Sequence, residues 1–102
     1  MTVKKYDKLV RDRIPDIIKE NGKECKIRVA VNDDYRQKLK EKLLEEANEF
    51  FEDPCVEELA DIQEVIDAIS EVHRWDVTGA RLRKRTKHGG FWRRYILEEV
   101  RG

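Results

Sequence analysis

An Asp-Pro pair at positions 53 and 54 separates two long runs of helix-periodic apolar residues, and no other local feature restricts the chain as strongly. Proline disfavours helical backbone in the residue before it and lacks the N–H that a helix interior needs. A helix arriving at Asp53 must stop, yet a second can start at once because proline is tolerated in a first turn. Upstream, Tyr35, Leu39, Leu43, Ala47 and Phe50 recur near one helical turn, and Leu44 and Phe51 widen that face. Asn32 or Asp33 is the expected cap. Downstream, Leu59, Ile62, Ile66 and Ile69 repeat in the same way beside Val65, ending near His73. Asp53 is the expected N-cap of this second helix, with Pro54 its first residue. The expected centre is an antiparallel hairpin with a very short turn.

Shorter pieces surround it. A basic stretch leads into a short helix from about Pro15 to Glu20, preceded by Asp12 or Ile14 and ended by Asn21-Gly22. Cys25, Ile27 and Val29 alternate with charged or small residues, as in a half-exposed strand or an extended arm. Asp76 can cap a further helix through Arg85, although Gly79 weakens it. Gly89-Gly90 is a break, and Phe91 to Val100 reads as a strand or packed arm. Phe50, Phe51, Trp75, Phe91, Trp92 and Tyr95 are expected in the core or in subunit contacts. The fold class is all-α in one domain, residues 1–102.

Size and composition add an expectation about assembly. With 102 residues, 39% apolar and 43% charged, a lone copy has little with which to build a core. A homodimer or homotetramer is expected, two hairpins completing a four-helix bundle. Charge is balanced at 22 basic against 22 acidic residues, so nothing global points to a nucleic acid or a membrane surface. No apolar run is long enough to span a bilayer, and the polar start does not read as a signal peptide. A soluble, cytoplasmic protein is the expectation. Cys25 and Cys55 fit neither a disulfide framework nor a zinc spacing, and His73 and His88 are not a local metal pair.

The chemistry lies in the acids. Residues three or four apart on a helix share a face, so Glu45 aligns with Glu49, Glu46 with Glu49, and Glu58 with Asp61. Their apolar neighbours place both sets at the margins of the buried faces. Closing the hairpin can bring the sets together, and converging carboxylates need protons or cations between them. Magnesium prefers oxygen donors and commonly uses a few carboxylates with water and phosphate. The plainer reading is a solvated acidic surface, since Glu is a good helix former. Glu41, Glu57, Glu64, Asp67 and Glu71 show how common acids are in this chain, and most of them are read as ordinary surface.

Taken in order, Glu-Glu-x-x-Glu at 45–49 and Glu-x-x-Asp at 58–61 resemble the paired acidic motifs of the MazG-like all-alpha nucleoside triphosphate pyrophosphatase superfamily. The opening Tyr6-Asp7-Lys8-Leu9-Val10-Arg11-Asp12-Arg13-Ile14-Pro15 resembles its phosphoribosyl-ATP pyrophosphohydrolase-like branch. So does Lys87-His88-Gly89-Gly90-Phe91, with Arg94 following. Two features depart from the pattern. Eight residues separate Glu49 from Glu58, fewer than usual, and Ala68 stands where many relatives carry an Asn-x-x-Arg element. The resemblance implies magnesium-dependent hydrolysis of a nucleoside triphosphate to monophosphate and pyrophosphate. It implies Glu46, Glu49, Glu58 and Asp61 as metal ligands, with Glu45 contacting a second metal or handling the water proton.

A triphosphate also needs cations. Lys8, Arg11 and Arg13 form one basic group, and Lys84, Lys87 and Arg94 another. The resemblance favours Arg11, Lys84, Lys87 and Arg94 as substrate-binding candidates, some supplied across a subunit interface. Two other functions compete. Arg81 to Arg94 contains no acid and could serve a nucleic-acid-binding regulator, against which stand the balanced charge and the acidic hairpin. The chain could also be a helical interaction protein whose acids only solubilise it.

Overall fold

Helix-forming residues and a forced break give the chain its longest elements. The computed structural model describes residues 2–102, and its regular structure is helical throughout: α1 (Ile14–Glu20), α2 (Asn32–Glu52), α3 (Val56–His73) and α4 (Val77–His88). α2 and α3 pack tightly on each other across the three-residue connection Asp53–Cys55, as expected for a helical hairpin. No strand forms among the described residues, so Cys25–Val29 is an unpaired segment leading into α2.

The ends of these helices differ in detail from the sequence expectation. α2 is entered from an extended Val31, and neither Asn32 nor Asp33 caps it with a side-chain hydrogen bond. Asp33 and Asp34 instead lie in its first turn, where carboxylates oppose the positive end of the helix dipole. Asp53 closes α2, its N–H donating to the Glu49 carbonyl, and Cys55 takes the N-cap position of α3. Pro54 thus lies just outside α3, satisfying its conformational restriction in the link. α1 starts at Ile14, after Arg13, with Pro15 in its first turn. α3 ends at Arg74 in a left-handed conformation, φ 56°, with the Trp75 N–H donating to the Ser70 carbonyl. α4 runs to His88, beyond Arg85. Asp76 Oδ1 caps it by accepting from Gly79 N–H at 2.9 Å. Gly79 helps the cap: a Cβ there would lie 2.8 Å from Asp76 Cγ.

Burial corrects the expected phase of the seam. Leu39 and Val65 are its buried apolar residues, at 2% and 8% exposure, with Tyr35, Leu43, Phe50, Ile62 and Ile69 half-buried. Ala47, Leu59 and Ile66 are exposed, as are Leu44 and Phe51. The place left on α2, seven residues after Leu39, is filled by Glu46. Aromatic residues of the final segment do not enter a core: Phe91, Trp92 and Tyr95 face solvent almost fully. His73 and Trp75 stack on each other, ring centroids 4.0 Å apart. Both cysteines are free thiols and half-buried.

The single chain is open. Its accessible surface is 10103 Å², against about 6,000 Å² for a compact monomer of this mass. Its radius of gyration is 18.5 Å, where a compact chain of this length has about 13 Å. Among the described residues no helix is long and apolar enough to cross a membrane.

Candidate metal centre

Glu46 is the most telling residue in the molecule. It occupies a core position of the α2 stripe, is 5% exposed, and carries an oxygen, Oε2, with no hydrogen-bond donor. Glu58 Oε2, on α3 opposite, is likewise buried without a donor. A buried carboxylate oxygen lacking a partner is costly, and solvated surface acids do not present one. Glu46 therefore lies inside the helix–helix seam, inward of the marginal position expected from sequence, while Glu45, Glu58 and Asp61 are half-buried and Glu49 is exposed at its edge.

Two groups of three acids meet at Glu46. In one, oxygens of Glu45, Glu46 and Glu49 lie within 4.8 Å of one another; in the other, oxygens of Glu46, Glu58 and Asp61 do so. Helical spacing assembles the first group on α2. Packing of α3 against α2 supplies the second, because Glu58, Asp61, Ile62 and Val65 follow one another along the inward face of α3. All five sequence-identified acids come together, with Glu46 shared. Glu49 is the most open of them, and Glu45, Glu58 and Asp61 are half-buried.

Cations of the chain already hold part of this charge. Lys42 Nζ donates to Glu45 Oε2 at 3.1 Å and pairs with Glu46 Oε1 at 3.2 Å. Lys8 Nζ reaches the other Glu45 oxygen, Oε1, at 2.9 Å. Arg11 Nη2 donates to Asp61 Oδ1 at 2.7 Å. Lys42 was not among the residues singled out from sequence, although its i+3 and i+4 spacing to Glu45 and Glu46 was the available signal. Burial pushes the Glu46 carboxyl above its ordinary range; Lys42 opposes this and the nearby Glu49 charge adds to it. At Glu45 burial also pushes upward, but the bonds from Lys8 and Lys42 outweigh it and the carboxyl ends below its ordinary range. The Arg11 guanidinium is raised, chiefly by its bond to Asp61.

The donor set suits a hard divalent cation. All five candidates offer carboxylate oxygens, and two of those oxygens are buried with nothing else to satisfy them. Opposed ligands of one magnesium ion stand about 4.2 Å apart, so each acidic group needs only small side-chain adjustment to close on an ion.

The remaining sequence candidates are elsewhere. Lys84 and Lys87 are exposed on α4, and Arg94, also exposed, follows the Gly89-Gly90 break at φ 61°. Among the described residues none of the three bonds to an acid of the seam. Gly89 turns the chain out of α4 at φ 83°, with its N–H donating to the Arg85 carbonyl. Comparison of the chain with protein-family models, with curated proteins and with solved structures yielded no match.

Proposed function

We propose that the chain is a MazG-like, magnesium-dependent nucleoside triphosphate pyrophosphohydrolase, cleaving between the α and β phosphates to release a monophosphate and pyrophosphate. The observation that carries this reading is Glu46: a buried carboxylate with an unsatisfied oxygen, at the junction of two acidic groups from α2 and α3. A solubilising acid has no reason to occupy a core position seven residues from Leu39. Resemblance of the flanking motifs selects the reaction among those that a carboxylate-bound cation can serve.

In this reading Glu46, Glu49, Glu58 and Asp61 hold magnesium, which supplies Lewis-acid polarisation of a phosphoryl oxygen and acidifies a water. Glu46 and Glu58 contribute from within the seam, where the low-dielectric surroundings strengthen their attraction for a cation. Asp61 and Glu49 stand nearer the opening, where a nucleotide can arrive. Glu45 makes a second cation contact or accepts the water proton, but only once Lys8 has released its Oε1. Arg11, Lys84, Lys87 and Arg94 neutralise the polyphosphate, with Lys84, Lys87 and Arg94 delivered by another copy of the chain.

The chain acts in this proposal as a homodimer or homotetramer. Supporting this are the excess accessible surface and the exposed apolar residues Leu44, Phe51, Leu59 and Ile66 on the paired helices. Two hairpins joined through these residues would make a four-helix bundle. A second reading draws on α4, whose residues 81–88 are all exposed and include five basic side chains without an acidic partner among the described residues. It makes the protein a nucleic-acid-binding regulator.

One experiment separates these readings. Purified protein is incubated with ribo- and deoxyribonucleoside triphosphates, with magnesium or with a chelator, and every phosphate product is resolved. Asp61→Asn and Glu49→Gln proteins, shown to be folded, run beside it. Monophosphate and pyrophosphate that require magnesium and vanish in both variants are the expected result. Diphosphate and phosphate would mean cleavage of another bond. Absence of turnover together with salt-dependent duplex binding would replace the enzyme with the regulator.

A further inference from the structure

The segment before α1 is tied across the mouth of the acidic seam. Lys38 Nζ donates to the Asp7 carbonyl at 3.0 Å and to Asp7 Oδ2 at 3.3 Å, and Arg28 Nη2 donates to Asp7 Oδ1 at 3.2 Å. Leu9 is half-buried, and with Lys8 it borders a small recess formed by Lys38, Glu41, Lys42 and Glu45 of α2. From this anchored backbone Lys8 reaches Glu45 and Arg11 reaches Asp61, so one cation of the segment caps each acidic group. The two side chains are 42% and 53% exposed, and each acid they hold is a candidate ligand. Meanwhile the inner oxygens of Glu46 and Glu58 stay without partners.

Resting on the enzymatic reading above, we propose that Lys8 and Arg11 are a polyphosphate clamp held on the metal acids until a divalent cation displaces them. The argument is one of charge. Lys8 holds an acid of the Glu45, Glu46 and Glu49 group and Arg11 an acid of the Glu46, Glu58 and Asp61 group, and a divalent cation held by either group would take over the charge compensation that the ammonium or guanidinium provides there. Repulsion by the ion then turns both side chains outward, towards the mouth, while Asp7 and Leu9 keep their backbone in place. There they would meet a ligand that carries several negative charges and binds next to magnesium, which in the enzymatic reading is the phosphate chain of a nucleotide or pyrophosphate. Arg11 suits paired phosphate oxygens through its planar fork, and Lys8 acts as a point charge. The clamp makes metal and phosphate cooperate. Phosphate that draws Lys8 and Arg11 away from the acids strengthens metal binding, and by linkage metal strengthens phosphate binding by the same factor.

The test is calorimetric and needs no turnover. Full-length protein is titrated with magnesium alone, then with inorganic pyrophosphate at saturating magnesium. Wild type is compared with the Lys8→Met/Arg11→Met double variant and with Lys8→Met alone, in case the double variant does not fold. Folding is checked by circular dichroism. The clamp requires opposite signs: magnesium affinity rises about two- to fivefold, since exposed ion pairs of this kind compete only weakly. Pyrophosphate affinity falls about tenfold or more in the double variant, since two charge-assisted contacts are lost. A fall in both affinities, or no change in either, would overturn the clamp while leaving the metal site intact. Failure of wild type to bind any divalent cation would sink the metal site and the clamp together.

Discussion

The α2–α3 seam and the α4 helix with its following segment use charge in opposite ways. In the seam, Glu46 takes a position that an apolar residue would fill at less cost, and one oxygen each of Glu46 and Glu58 is buried without a donor. On α4 and beyond, Arg81, Arg83, Lys84, Arg85, Lys87, Arg93 and Arg94 all remain in solvent, where a cation costs the fold almost nothing. A cheap charge says little about use, because ordinary surface chemistry accounts for it. An expensive one demands a compensating partner or a purpose. This asymmetry is why Glu46, one residue, carries more of the functional argument than the entire basic stripe.

Catalysis gives the sharpest way to break that contrast. Asp61→Asn should lower kcat by at least about 100-fold, the scale of losing a charge stabiliser at a transferring group. Combined Lys84→Met and Lys87→Met should cost about tenfold, chiefly in KM, in a steady-state assay of pyrophosphate release. Equal losses would place the α4 cations at the reacting phosphate and end the distinction.

Packing is the next largest effect. Leu39→Ala should destabilise the fold by about 2–5 kcal/mol in chemical denaturation, as for other buried leucines. Leu82→Ala, on the exposed surface of α4, should change stability by less than about 0.5 kcal/mol. A large effect at Leu82 would show that α4 is covered in the assembled protein.

Acidity discriminates within the seam. The folded-state pKa of Glu46 lies above its ordinary 4.5, so its contribution to stability is present below pH 4.5 and lost as pH rises through the raised value. Glu45 has the opposite sign: its folded-state pKa is lowered, so its contribution holds above pH 4.5 and is lost as pH falls through the lowered value. Thermal melts in chelator should therefore decline from pH 4.5 upward through the Glu46 titration. Glu46→Gln should flatten that decline, and magnesium should oppose it. A wild-type profile unchanged by Glu46→Gln would refute the burial argument.

The smallest effect tests a local device. Gly79→Ala should destabilise α4 by about 1 kcal/mol, because a methyl group there displaces the capping Asp76 carboxylate. Ordinarily the same change in a helix is stabilising.

Much of this architecture was legible because a few residues determine it locally. Asp53-Pro54 leaves no choice but a break, and the flanking periodicity leaves no choice but helices. The phase of burial was harder to read. α3 has apolar residues on more than one side, including Val56, Leu59, Ile62, Val65, Ile66 and Ile69, so several faces satisfy the periodicity. Reading apolar as buried favoured Ile66 and Leu59, and that rule could not place Glu46 inside. The acidic residues themselves were found by spacing, which survives a rotation of the helix, whereas their depth was not. The partners of Lys8 and Arg11 lie 37 and 50 residues away, and no local pattern encodes such pairings. The final segment shows another limit: its aromatic residues suggested a strand or a packed arm, yet within a single copy Phe91, Trp92 and Tyr95 lie in solvent, because an arm packs only where a second surface meets it and local sequence does not encode that surface.

The brief link Asp53–Cys55 has one more consequence, which concerns counting. Leu39 and Val65 are the buried apolar residues of α2 and α3, so the angular position of every acid is measured from those two buried positions and not from the bend. Residues added at the bend would lengthen a loop and leave the acids in phase. A single residue added between Asp61 and Val65 would instead swing Glu58 and Asp61 by about 100° out of the seam. The eight-residue interval between Glu49 and Glu58 is thus free to vary in length, while the intervals Leu39–Glu46 and Asp61–Val65 are not.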